Sequence, residues 1–80
     1  MTNSTNYVAV LSKDQGVLLC SWLRTALAVC YSNLDFDGAT KHSLRIQEVS
    51  RKAEQGIDIA LTRDEAELFP EIDFLYAYAA

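Results

Sequence analysis

Between Val17 and Tyr31 the chain wraps apolar residues around more of a helix than one neighbour could cover. At 100° per residue, Leu18, Val29, Trp22, Ala26, Leu19, Cys30, Leu23, Leu34, Leu27, Cys20 and Tyr31 fill an arc of about 220°. A surface helix needs little more than about 100°. The rest of the circumference holds Ser21, Thr25, Ala28 and Ser32, and only Arg24, at its margin, is long and charged. The pattern predicts a helix over Lys13–Ser32 at the centre of the fold. Gly16 in its first turn either weakens the helix, by up to about 1 kcal/mol, or admits a close backbone approach.

The start of that helix is written locally. Ser12-Lys13-Asp14-Gln15 is a capping box, in which the hydroxyl accepts from the third helical amide and the Gln side chain returns to the cap amide. The same logic recurs at Thr62-Arg63-Asp64-Glu65. Each box follows a short apolar run, which predicts strands over Tyr7–Leu11 and Ile57–Leu61. Acids in both first turns suit the helix dipole.

Leu34-Asp35-Phe36-Asp37-Gly38 reads as a turn. A second helix is expected to begin after Thr40 or Ser43 and to stop at Gly56, the residue suited to a left-handed cap. Its stripe is narrow, Ile46, Val49 and Ala53, with Arg45, Glu48, Arg51, Lys52 and Glu54 in water. A last helix is expected from Thr62, kinked at Pro70, which lacks an amide proton. On it Leu68, Phe69, Ile72, Leu75, Tyr76 and Ala79 share one face, while Phe74 and Tyr78 lie opposite, beside Glu67 and Glu71. The fold class expected is mainly α with minor β: a three-helix small domain with a kinked C-terminal helix and two short strands preceding the first and last helices. Residues 1–6 are expected to be a flexible N-terminal segment and 7–80 a single small helical domain.

Charge and composition narrow the function classes. Seven Lys and Arg against eleven Asp and Glu leave a net charge of −4, a poor balance for gripping phosphates, so no nucleic acid is expected. The apolar stretch is broken by Ser21, Arg24 and Thr25 and falls short of the roughly 20 residues that span a bilayer. No membrane partner is expected. No signal or lipidation pattern stands at either end, and the expected location is cytoplasmic. Cys20 and Cys30, about 15 Å apart along one helix, cannot join each other, and read as buried thiols of a reducing compartment.

Chemistry-bearing patterns are sparse. Asn33, Asp35, Asp37 and Gly38 match the start of a calcium loop, but the position that must supply a bidentate carboxylate is Leu44. Asn33, Asp35 and Asp37 are therefore candidate ligands without a closing residue, and an Asx-type helix stop explains them better. His42, the one histidine, could join Asp35 and Asp37 only in a weak three-ligand cluster, and a solvated histidine near a helix N-terminus explains it better. No cofactor and no catalytic activity are expected.

What remains is association. A chain of 80 residues buries only about 60–65% of its unfolded surface, so the wide apolar arc predicts a homodimer. Its contact would run along Ser21, Trp22, Thr25, Ala28, Val29, Tyr31 and Ser32. The alternative expectation is a small acidic inhibitor or adaptor, of the phage or mobile-element type. It would use Glu67, Glu71, Phe74 and Tyr78 to block another protein.

Overall fold

The computed structural model describes residues 5–79. In chain order they form β1 (Thr5–Val10), α1 (Lys13–Ser32), α2 (Phe36–Gln55), β2 (Asp58–Leu61), α3 (Arg63–Ala66) and β3 (Tyr76–Ala79). The architecture is mainly α with a small antiparallel sheet in the order β2-β1-β3. The segment expected to be flexible lies mostly outside the described residues, and Thr5 and Asn6 already belong to β1.

Both capping boxes form. At α1, Gln15 N donates to Ser12 Oγ (3.1 Å) and Ser12 N to Gln15 Oε1 (2.9 Å). At α3, Glu65 N donates to Thr62 Oγ1 (3.3 Å) and Thr62 N to Glu65 Oε1 (2.9 Å). The second helix starts earlier than the sequence suggests. Asp35 caps it, its carboxylate accepting from Gly38 N at 3.0 Å, so Gly38 sits inside the first turn instead of breaking the chain. Leu34 takes the left-handed position between the helices, at φ 57°, and Asp35 N closes onto Cys30 O at 2.8 Å. Gly56 caps the far end at φ 69°.

α1 and α2 form an antiparallel hairpin. They approach closely at Gly16, where an added Cβ would stand 2.7 Å from Ala53 Cβ. The core gathers Leu19 and Leu23 of α1, Val49 of α2, Leu11, Ile59, Leu61 and Phe69. It thus occupies the end of the hairpin nearest the sheet. At the other end Tyr31, Leu34, Phe36 and Leu44 are exposed. The molecule is only 18 Å across its thinnest direction, which leaves few residues with cover on all sides.

The kinked C-terminal helix does not form. α3 is a single turn ending at Ala66, turns follow through Glu71, and the chain re-enters the sheet as β3. Pro70 drives Phe69 out of the helical region, and Phe69 instead becomes fully buried. Beyond it, Tyr76 and Tyr78 obey the two-residue period of a strand, to which tyrosine is well suited.

Arg45 also departs from expectation. It does not point into water but makes a two-pronged contact with Glu65, Nε to Oε2 at 3.1 Å and Nη2 to Oε1 at 2.7 Å. Nη2 donates as well to Ala60 O at 2.7 Å, and Nη1 to Glu48. Glu65 is 4% exposed, so this cluster pins α2 to β2 and α3 from within.

Candidate functional site

α2 packs against the side of α1 that carries Gly16, Cys20 and Leu23, all buried. Rotating about the α1 axis away from that contact reaches Leu18, Trp22, Thr25, Val29 and Ser32, spaced four, three, four and three residues apart. This spacing keeps them within about 80° of each other on the helix. Leu18 is 50%, Trp22 38% and Val29 54% exposed. Ser21 and Ala28 flank the same seam and are exposed too. Thr25 Oγ1 donates to Ser21 O at 3.2 Å, so its hydroxyl is satisfied within the helix and its methyl is free for contact. A row of apolar and small residues with no charge, at alternating four and three spacing, is the geometry by which helices interlock side by side.

Of the seven α1 residues singled out from the sequence, Ser21, Trp22, Thr25, Ala28, Val29 and Ser32 lie along this side. Tyr31 does not. It sits on the other flank, edge-on to Phe36 with ring centroids 6.5 Å apart. Leu18, which the sequence reading placed on the apolar arc but not among the contact residues, belongs to the exposed seam.

The acidic aromatic face of the alternative expectation is not assembled, because the helix meant to carry it is absent. Glu67 lies in the turn after α3, 3.6 Å from Arg63. Glu71 accepts from Gln15 Nε2 at 3.2 Å. Phe74 is half-buried against Tyr7, centroids 5.5 Å apart, and Tyr78 stands in β3 beside Tyr76.

Chemical groups elsewhere are occupied structurally. Asp35 is committed to its capping bond, Asn33 closes α1 and Asp37 lies in the first turn of α2. The intervening loop is too short to wrap an ion, and no three His, Cys, Asp or Glu among the described residues group as a metal site. Cys20 Sγ donates to Ile46 O at 3.7 Å. Burial raises its thiol pKa, against a smaller opposing pull from Arg24. Cys30 is raised too, by desolvation first and then by Asp35. Both sulfurs therefore stay protonated at neutral pH. A shallow groove of about 330 Å³ runs between α1 and α2 past Gly16, Val17 and Ser50. No helix among the described residues is long and apolar enough to cross a membrane.

No family model, curated protein or solved structure matches this chain.

Proposed function

We propose that the protein is a small, cytoplasmic, non-catalytic association module whose partner is a second copy of itself. The observation that carries this reading is the uncharged seam Leu18, Trp22, Thr25, Val29 and Ser32, left open on the side of α1 away from α2. A two-fold contact requires a surface complementary to itself, and a four-three ladder with small residues between large ones meets that requirement. Two free thiols, both held protonated, suit a reducing compartment.

Magnitude sets the scale of the contact. Covering an apolar side chain is worth about 1.5–3 kcal/mol from full exposure, and about half of that for residues already half-covered. Three such residues on each of two copies contribute about 6 kcal/mol. Association costs about 4–15 kcal/mol in lost freedom. The seam favours a dimer but needs further contact beside it.

Sedimentation equilibrium tests the reading. The expected mass is twice 8.9 kDa, and Val29→Glu, a change at an exposed position, is expected to return the monomer with unaltered helix content. A wild-type protein that stays at 8.9 kDa at high micromolar concentration overturns it.

A further inference from the structure

We infer that the crevice between α1 and α2, on the side turned away from the core, takes an acidic amphipathic helix from another protein, with a carboxylate of that helix on Arg24. The inference is independent of self-association. Val17, on the wall of the crevice, precedes Leu18 in the chain and so stands about 100° round α1 from the exposed seam.

Two openings share that side of the hairpin. The first, of about 330 Å³, lies between Lys13, Val17 and Arg24 of α1 and Ser50 and Glu54 of α2. Gly16, Cys20 and Ala53, all buried, form its floor. The second, of about 220 Å³, lies between Tyr31 of α1 and Phe36, Ser43 and Leu44 of α2. Lys13 and Tyr31 are five whole turns apart, and Ser43 and Ser50 nearly two. The openings therefore follow one crevice about 27 Å long. Leu19, Leu23 and Val49 face the other way, into the core.

The lining selects a helix. The amides and carbonyls along both walls are spent inside α1 and α2, so the crevice has no edge to pair with an extended strand. It offers side chains instead. Val17, Tyr31, Phe36 and Leu44 are all exposed, and they stand on two antiparallel helices, the cradle into which a third helix packs. About 18 helical residues match its length. A flat anionic bilayer or a nucleic acid fits neither this concave shape nor a chain of net charge −4.

Charge selects an acidic one. Lys13 and Arg24 face a single acid, Glu54, in the first opening, and no charged residue lines the second. Among the described residues Arg45, Lys52 and Arg63 hold ion pairs, and neither Lys13 nor Arg24 does. Gly16 faces Ala53 and Cys20 faces Ile46, so Glu54 lies at the Lys13 end. Arg24, a turn beyond Cys20, lies at the other end, where no acid lines the wall. It is near enough to the floor for its charge to act on the Cys20 thiol. An uncharged helix laid over Arg24 would strip water from an unpaired cation, which is costly, whereas a carboxylate on the incoming helix offsets that cost.

Calorimetry and amide chemical shifts with two designed peptides test the inference. Each has about 18 residues of Ala, Leu and one charged type, with Leu at four-three spacing, and the charged type is Glu in one and Lys in the other. The Glu peptide is expected to bind once per chain, at least about 10-fold more tightly than the Lys peptide, and to shift the amides of Val17, Arg24, Tyr31 and Ser50. Arg24→Glu, at an exposed position, is expected to reverse the preference while circular dichroism stays that of the wild type. No binding, equal binding of the two peptides, or shifts confined to Leu18 and Val29 overturns the inference. So does a dimer that Arg24→Glu dissociates, since a second copy would then fill the crevice. A wild-type monomer that binds the Glu peptide as described upholds the inference and overturns only the homodimer.

Discussion

Replacing Arg45 with Met is expected to cost about 3 kcal/mol of stability. The cost arises at Glu65 more than at Arg45. With its side chain 5% exposed, the Glu65 carboxylate keeps one bond, from Thr62 N, and loses both guanidinium bonds. A carboxylate left unpaired by removal of its partner costs about 3–5 kcal/mol when the pair is fully buried. Arg45 is 22% exposed, and water entering at that side moves the value to the lower end of the range. Glu65→Gln keeps one acceptor for Thr62 N and Arg45 Nη2, sets an amide donor against Arg45 Nε and removes the charge, and is expected to cost about half as much. Leucine at 65 together with methionine at 45 is expected to recover most of the loss, since an apolar pair carries no desolvation penalty. A chain of 80 residues is stable by only about 4–12 kcal/mol, so the single change is expected to lower Tm by about 12–24 °C. Urea unfolding followed by circular dichroism at one fixed protein concentration measures all three variants. A cost below about 1 kcal/mol for Arg45→Met would refute the argument, since it would place the pair effectively in water.

Three further outcomes follow from single sites. Gly16→Ala is expected to destabilise by about 1–3 kcal/mol despite alanine's better helix propensity, because the new methyl would stand 2.7 Å from Ala53 Cβ. Thermal unfolding decides it, and a gain in Tm would show that the hairpin yields there. Leu34→Gly is expected to stabilise by up to about 1 kcal/mol, since it relieves a left-handed leucine whose side chain is 73% exposed and covers little. The hydrogen bond from Arg45 holds the Glu48 carboxyl below its ordinary value of 4.5, against an opposing pull from partial burial, and the charges of Arg45 and Lys52 add to the lowering. A lowered carboxyl contributes stability above 4.5 and loses it as pH falls through the value in the fold. Relative to wild type, Glu48→Gln should therefore show a shallower loss of Tm below that pH.

Local signals carried most of what could be read in advance. The two capping boxes and the period of α1 need only neighbours within four residues, and the structure contains both caps and a helix over Lys13–Ser32. The start of α2 was hidden because Gly38 reads as a breaker unless Asp35 is known to cap the helix and bond its amide. β3 was hidden because Tyr76 and Tyr78 fit a helical wheel and a strand alike, and only pairing with β1, some seventy residues earlier, decides between them. Glu65 was read as the partner of its own cap, since the residue it also binds lies twenty positions away on α2. The place of Leu18 was hidden for a related reason. A wheel marks which residues are apolar but not where on the arc α2 will dock, and α2 docks at Gly16, on the far side from Leu18.

Arg45 connects the stability of the fold to the protection of a sheet edge. Its guanidinium neutralises Glu65 inside and, through Ala60 O, occupies the free edge of β2 outside. Arg45→Met uncovers that edge, and an uncovered strand edge is a template for pairing with another chain. The variant is therefore expected to form species larger than the wild type under folding conditions, with mass rising with concentration. Light scattering reads it. A destabilised Arg45→Met protein that keeps the wild-type mass would show that Asp58 and the shortness of β2 already protect that edge without the arginine.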